Sequence, residues 1–135
     1  MSRFETVSVA IARQWQEVYD FLSRPENYAN WSNVLGPVFR QLGALEWIAE
    51  KPTVGDRPLV MRFTARNELG VLDHQVFRDG IMVRYVPMRV IPAGDGAILT
   101  YGLFAGEGAT DEQVASELEW VRADLETAKV LLELR

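Results

Sequence analysis

His74 is the one histidine of the 135-residue chain, and there is no cysteine. Histidine is the side chain whose unperturbed pKa, about 6.5, lets it exchange protons near neutral pH. It sits in Leu72-Asp-His-Gln-Val76, where strand alternation puts His74 on one face with Leu72 and Val76 and sends Asp73 and Gln75 to the other. With the Leu72 face inward, His74 can bind a ligand carbonyl or serve as a general base. The plainer account is a core histidine bonded to a neighbour. Asp73 cannot orient it, because consecutive strand residues point to opposite faces, so a Ser-His-Asp arrangement has little support. Tyr101 shares the more apolar face of its strand with Leu99 and Leu103, and a buried tyrosine hydroxyl needs a partner. That partner is either a backbone group or a ligand. Tyr85 shares a face with Val83 and Arg89, and if the register is reversed Arg84 becomes the pocket cation instead. His74, Tyr101 and Tyr85 are the catalytic candidates if the chain is an enzyme.

Other chemistries are excluded early. The absence of cysteine and the single histidine remove disulfides, thiol nucleophiles, cysteine-ligated zinc and His-rich metal sites. Glu46, Glu50 and Asp56 are too loosely placed for paired carboxylates or metal ligands. Gly106-Glu-Gly108 ends a strand rather than forming a phosphate loop, and there is no P-loop. Asn30-Trp-Ser32 matches a glycosylation pattern only by chance. No metal and no cofactor are expected. The net charge is −5 and the twelve arginines are scattered singly, which argues against nucleic acid. No apolar run is long enough to span a membrane and none near the start resembles a signal peptide. A cytoplasmic protein is expected, as a monomer or homodimer.

The elements that must position these residues follow from periodicity. Phe4 to Ala12 alternates as a half-buried strand. Gln14 to Ser23 changes to helical spacing, with Trp15, Val18, Tyr19 and Leu22 on one face. Ser23-Arg-Pro-Glu26 ends that helix and can cap a second, short one reaching about Trp31. Gly36-Pro37 and Gly43 mark a loop. Strands are expected over Leu45–Glu50, Leu59–Arg66, Val71–Arg78, Ile81–Ile91 and Ala97–Ala105, with Asp79-Gly80 as a hairpin turn. That is an antiparallel meander of about five strands. From Thr110 to Leu134, Val114, Leu118, Val121, Leu125, Ala128 and Leu132 make one helical stripe, and Thr110 with Gln113 has capping-box spacing. Between Glu107 and Glu133, eight acids face only Arg122 and Lys129, as on a solvated outer helix face. Trp120 lies roughly 120° from the seam at 100° per residue. With Leu131 it packs under the first strand or marks a dimer contact, and packing is the reading preferred.

One domain over residues 1–135 is expected, of α+β class. A curved antiparallel sheet grips a long C-terminal helix, and two short helices after the first strand roof the open end. A curved sheet cannot close along the whole helix, so a cavity should remain between sheet, helix and roof. Trp31, at the end of the roof, can cap its mouth. Trp47, Met61, Phe63, Met88 and Phe104 are candidate lining residues, Met suiting an adaptable pocket. Val121, Leu125 and Ala128 are the expected helix wall, and small Ala128 is where room is expected.

This order of elements resembles the START-like helix-grip superfamily, including the SRPBCC and polyketide cyclase/dehydrase-like proteins. The matching residues are Val7-x-Val9, Pro25-Glu-Asn-Tyr28-x-x-Trp31, Leu72-Asp-His74, Val86-Pro-Met-Arg-Val90 before Gly94-Asp-Gly96, and Val121-x-x-Asp124-Leu125-x-x-x-Lys129-x-x-x-Glu133. The resemblance spans nearly the whole chain. It implies an apolar cavity, in a group that includes lipid carriers, aromatase/cyclases, hormone receptors and chaperone-associated modules. The leading expectation is a domain that binds a small apolar or aromatic molecule. The alternatives are a cyclase- or dehydratase-like enzyme in the same cavity, and a protein-interaction module.

Overall fold

Alternation at the start of the chain becomes the strand Phe4–Ile11 (β1), with Val7, Val9 and Ile11 buried and Ser8 and Ala10 exposed. The computed structural model describes residues 3–135; Met1 and Ser2 lie outside the described residues. Trp15–Leu22 (α1) then buries Val18, Tyr19 and Leu22. Pro25 opens Pro25–Tyr28 (α2) at a position where no N–H is needed. The expected Ser23–Glu26 cap is not made. Ser23 still belongs to the end of α1, and its hydroxyl donates to the Asp20 carbonyl at 3.1 Å.

The strands Phe39–Gln41 (β2), Glu46–Ala49 (β3), Leu59–Phe63 (β4), His74–Arg78 (β5), Ile81–Val86 (β6), Met88–Ala93 (β7) and Gly96–Phe104 (β8) precede the helix Asp111–Glu133 (α3). Every pairing is antiparallel, in the orders β2-β3-β4-β5-β6 and β1-β8-β7. Three expectations need correction. β2 occupies part of the expected loop. Val71 makes only an isolated bridge to Arg89, so β5 begins at His74. The expected strand Ile81–Ile91 is two strands, broken at Pro87, which has no N–H for the ladder. The Pro87 carbonyl accepts from the Gly102 N–H at 2.7 Å, so the corner is tied to β8 and the sheet curves there.

Two local features set the cavity wall. Asp79 and Gly80 both have positive φ (53° and 79°) between paired Arg78 and Ile81, the type I′ hairpin that the dipeptide suggests. The register then slips: Val76 faces Arg84 but Phe77 faces Met82, which leaves Val83 as a bulge.

α3 begins with the expected capping box, Gln113 N–H to Thr110 Oγ1 at 3.1 Å and Thr110 N–H to Gln113 Oε1 at 2.9 Å. Such a cap is worth about 1 kcal/mol. The helix buries Val114, Leu125, Ala128 and Leu132, with Leu118 and Val121 partly covered. Its C-terminal half is fastened to the first strand and the turn after it. Lys129 Nζ donates to the Ala10 carbonyl at 2.6 Å, and the Ala12 N–H donates to Glu133 at 2.8 Å. The N-terminal half is held by side-chain ion pairs instead, Arg3 to Asp111 at 2.6 Å and Arg84 to Glu117 at 3.0 Å, and the cavity lies there. No helix among the described residues is long and apolar enough to cross a membrane.

Candidate ligand-binding cavity

The alternation of β5 puts His74, Val76 and Arg78 on one inward face, and β6 adds Arg84 and Val86 beside the bulged Val83. Met61 from β4, Tyr101 and Leu103 from β8, and Tyr28, Trp31 and Ser32 from the roof supply further walls. α3 closes the space with Ser116, Glu117, Trp120, Val121, Asp124 and Leu125. The cavity holds about 420 Å³, within the range of small-molecule sites. Val54, Val83 and Trp120 are substantially exposed lining residues, so the mouth has an apolar rim.

The roof is built by helical spacing. Tyr28 and Trp31 lie three apart, the Trp31 N–H donates to the Tyr28 carbonyl at 3.2 Å, and their ring centroids are 4.3 Å apart. Asn27 Nδ2 fixes the turn by donating to the Phe21 carbonyl at 3.0 Å. Trp31 is 3% exposed, yet its indole Nε1–H has no hydrogen-bond partner among the described residues. A buried donor left unpaired costs about 1–3 kcal/mol, and this one belongs to a residue that lines the cavity.

His74 is buried and both its nitrogens are engaged. Nδ1 lies 3.1 Å from the Leu72 carbonyl, which can only accept, so Nδ1 carries the proton. Nε2, 2.9 Å from the Tyr28 hydroxyl, is therefore the acceptor and Tyr28 the donor. Burial lowers the His74 pKa to about 4, despite the Leu72 bond favouring the charged form. The ring is neutral at pH 7, and its bonded partner on the cavity side is Tyr28. Burial also raises Tyr28 well above the ordinary tyrosine value and pushes Tyr101 up to about 12, so both hydroxyls stay protonated.

Asp124 is the acid of the cavity. It is 7% exposed, and burial raises its pKa to about 6 even though Asn33 opposes the shift by hydrogen bonding. Asn33 Nδ2 donates to it at 3.0 Å, and the Asn33 N–H contributes a longer contact at 3.3 Å. A carboxyl titrating near pH 6 can donate or accept a proton in the physiological range. Beside it, Arg84 is neutralised by Glu117 at 3.0 Å.

The structure brings Trp31, Met61, His74, Tyr101, Val121 and Leu125 to the cavity and places the other sequence candidates elsewhere. Tyr85 points outward from β6, and its hydroxyl donates to Asp73 at 3.1 Å. Trp47 and Phe63 form an aromatic layer with Phe39, behind Tyr28 and His74. Met88 follows the Pro87 corner and packs in the core. Ala128 is fully buried under the clamped half of α3, so the room lies one to three turns earlier. Phe104 is outside, its ring tilted against Phe4 with centroids 4.6 Å apart. Trp120 lines the mouth rather than packing under β1. Residues missed from sequence are Tyr28, Arg78 and Asp124. The three-residue spacings Tyr28–Trp31 and Val121–Asp124 carried a usable signal, and Arg78 shares the parity of His74.

No protein-family model and no curated protein matches the chain. Solved structures do. An uncharacterised protein from Bacillus thuringiensis superposes with a TM-score of 0.75 at 11% identity, over 96% of this chain and 98% of that one. DynU16, from the dynemicin biosynthetic locus, gives 0.68 at 17% identity, over 96% of this chain and 47% of its own. Ara h 8.0201 gives 0.70 at 8% identity with full coverage of both, 100% and 100%. At such identities the likeness is one of fold. The chain has the α+β helix-grip fold, an antiparallel curved sheet around a long C-terminal helix.

Proposed function

We propose that this chain is a START-like domain of the SRPBCC kind that binds a small, largely apolar or aromatic molecule in the cavity between sheet, roof and α3. The observation that carries the reading is the buried Trp31 Nε1–H, which lacks a partner beside a space of about 420 Å³. An acceptor atom on a ligand would satisfy it. Tyr101 adds a hydroxyl that stays protonated at neutral pH, and the Tyr28 oxygen, its proton given to His74, can accept from a ligand donor. The test uses the neutral fluorophore N-phenyl-1-naphthylamine with wild type and Val121→Trp, which fills the cavity from the helix side. Binding by wild type and its loss in a folded Val121→Trp protein is the expected result. Equal binding by both places the fluorophore elsewhere and removes the proposal.

A second reading, acid–base catalysis on a bound polyketide-like carbonyl compound, is favoured by Asp124. Its carboxyl lines the cavity and titrates at about 6, which suits proton transfer better than the occupied nitrogens of His74. Turnover of a poly-β-ketone thioester, followed by product chromatography, is the check. A rate lost in Asp124→Asn with fluorophore binding kept supports it, and a wild-type rate equal to buffer dismisses it.

A further inference from the structure

Among the described residues, one of the two arginines lining the cavity has no ion-pair partner. Arg84 is paired with Glu117 at 3.0 Å, and Arg57 takes Asp79 at 2.8 Å, the acid next to Arg78 in sequence. Arg78 lines the cavity but makes no hydrogen bond or ion pair among the described residues, and its Nε is buried without a partner. The loop between β3 and β4 lies close over its guanidinium. A Cβ added at Gly55 would come within 3.1 Å of Nη2. A half-buried guanidinium facing an apolar space has lost part of its hydration and gained no anion in return.

We propose that Arg78 receives the anionic end of the ligand, so that the molecule bound here is an amphipathic organic anion, a carboxylate or sulfonate on an apolar body. The proposal rests on the ligand-binding reading above. Two named groups set the orientation. The apolar body and a neutral acceptor lie inward near Trp31, and the anion lies outward at Arg78. His74, which bonds the roof through Tyr28, and Arg78 are four residues apart on one strand face, about 13 Å along β5 at about 3.3 Å per residue. A guanidinium presents a planar fork of donors to an anionic oxygen pair. That geometry distinguishes an anion from a hydroxyl, which a pocket of apolar walls alone would not do.

A matched pair of fluorophores tests this. N-phenyl-1-naphthylamine is neutral, and 8-anilinonaphthalene-1-sulfonate is the same aromatic core carrying one sulfonate. Wild type should bind the sulfonate at least about tenfold more tightly than the neutral compound, since a charge-assisted hydrogen bond is stronger than a neutral one. Arg78→Gln should abolish that preference while leaving affinity for the neutral compound within twofold, and thermal melting reports that the variant is folded. Arg78→Lys, which keeps the charge and loses the fork, should fall between. Neutral binding with no sulfonate advantage, or an advantage unchanged in Arg78→Gln, overturns the anion assignment and leaves the cavity reading standing. If neither compound binds wild type, both fail together.

Discussion

The Tyr28 hydroxyl lies 2.9 Å from His74 Nε2 and links the roof to β5 across 46 residues of sequence. His74 Nδ1 is held by the Leu72 carbonyl, so the ring has no nitrogen free for a ligand and Tyr28 is the group it positions. Tyr28→Phe keeps the ring packed against Trp31 and leaves Nε2 buried without a donor. A loss of about 1–3 kcal/mol is expected, read from urea midpoints. In a double-mutant cycle with His74→Phe the pair should couple by about 0.5–3 kcal/mol. Strictly additive losses would show that the contact stabilises nothing.

Acidification should expose two opposed titrations. Asp124 has a folded pKa of about 6 against an ordinary 3.8. Its value is raised, so its contribution is complete below about pH 4 and is lost as pH rises through 6. His74 has a folded pKa of about 4 against 6.5. Its value is lowered, so its contribution is present above 6.5 and is lost as pH falls towards 4. Between these limits the slopes oppose each other, each at most about 1.4 kcal/mol per pH unit. Asp124→Asn should therefore lose stability on acidification from pH 6.5 to 4 more steeply than wild type. Parallel melting profiles for the two proteins would contradict the assignment.

Asp73 faces away from the cavity and binds the β6–β7 corner together. Its carboxylate accepts from the Met88 N–H at 2.9 Å, from Arg89 at 3.0 and 3.1 Å, and from Tyr85 at 3.1 Å. Burial works against its charge, yet these donors hold its pKa below the ordinary value. That stability is present above pH 4 and is lost as pH falls further. Asp73→Ala strands a buried N–H and should cost about 1–3 kcal/mol. Arg89→Ala removes a half-exposed partner and should cost no more than about 1 kcal/mol. Comparable losses in urea denaturation at pH 7 would show that the ion pair, not the backbone bond, dominates.

Much of the fold was legible because periodicity reports burial. The α3 stripe, the capping box at Thr110 and the Asp79-Gly80 hairpin are local signals with local causes. The broken strand at Pro87 was legible in principle, since proline removes a ladder donor, but its apolar flanks read as one run. The cavity was harder. Which half of α3 leaves a gap depends on Lys129 and Glu133 bonding to residues near β1, pairings more than a hundred residues apart in sequence. The Val83 bulge likewise decides that Arg84 faces in and Tyr85 out, and nothing in the alternation of β6 alone fixes that choice. Asp124 looked like one more acid on a solvated face until Asn33 and the roof were packed over it.

The position of the gap along α3 can be tested with two residues one turn apart. Leu125 is fully buried and lines the cavity, whereas Ala128 is fully buried and does not. Leu125→Ala should lose about 2–5 kcal/mol, since it removes packed methyls beside a space that cannot collapse. It also enlarges the cavity, so affinity for N-phenyl-1-naphthylamine should change. Ala128→Leu forces extra volume into the clamped half and should cost about 1–3 kcal/mol, with fluorophore affinity unaltered because Ala128 is not among the residues lining the cavity. If Ala128→Leu instead kept its stability and abolished binding, the open space would lie against Ala128, and the clamp by Lys129 and Glu133 would not set where the helix leaves its gap.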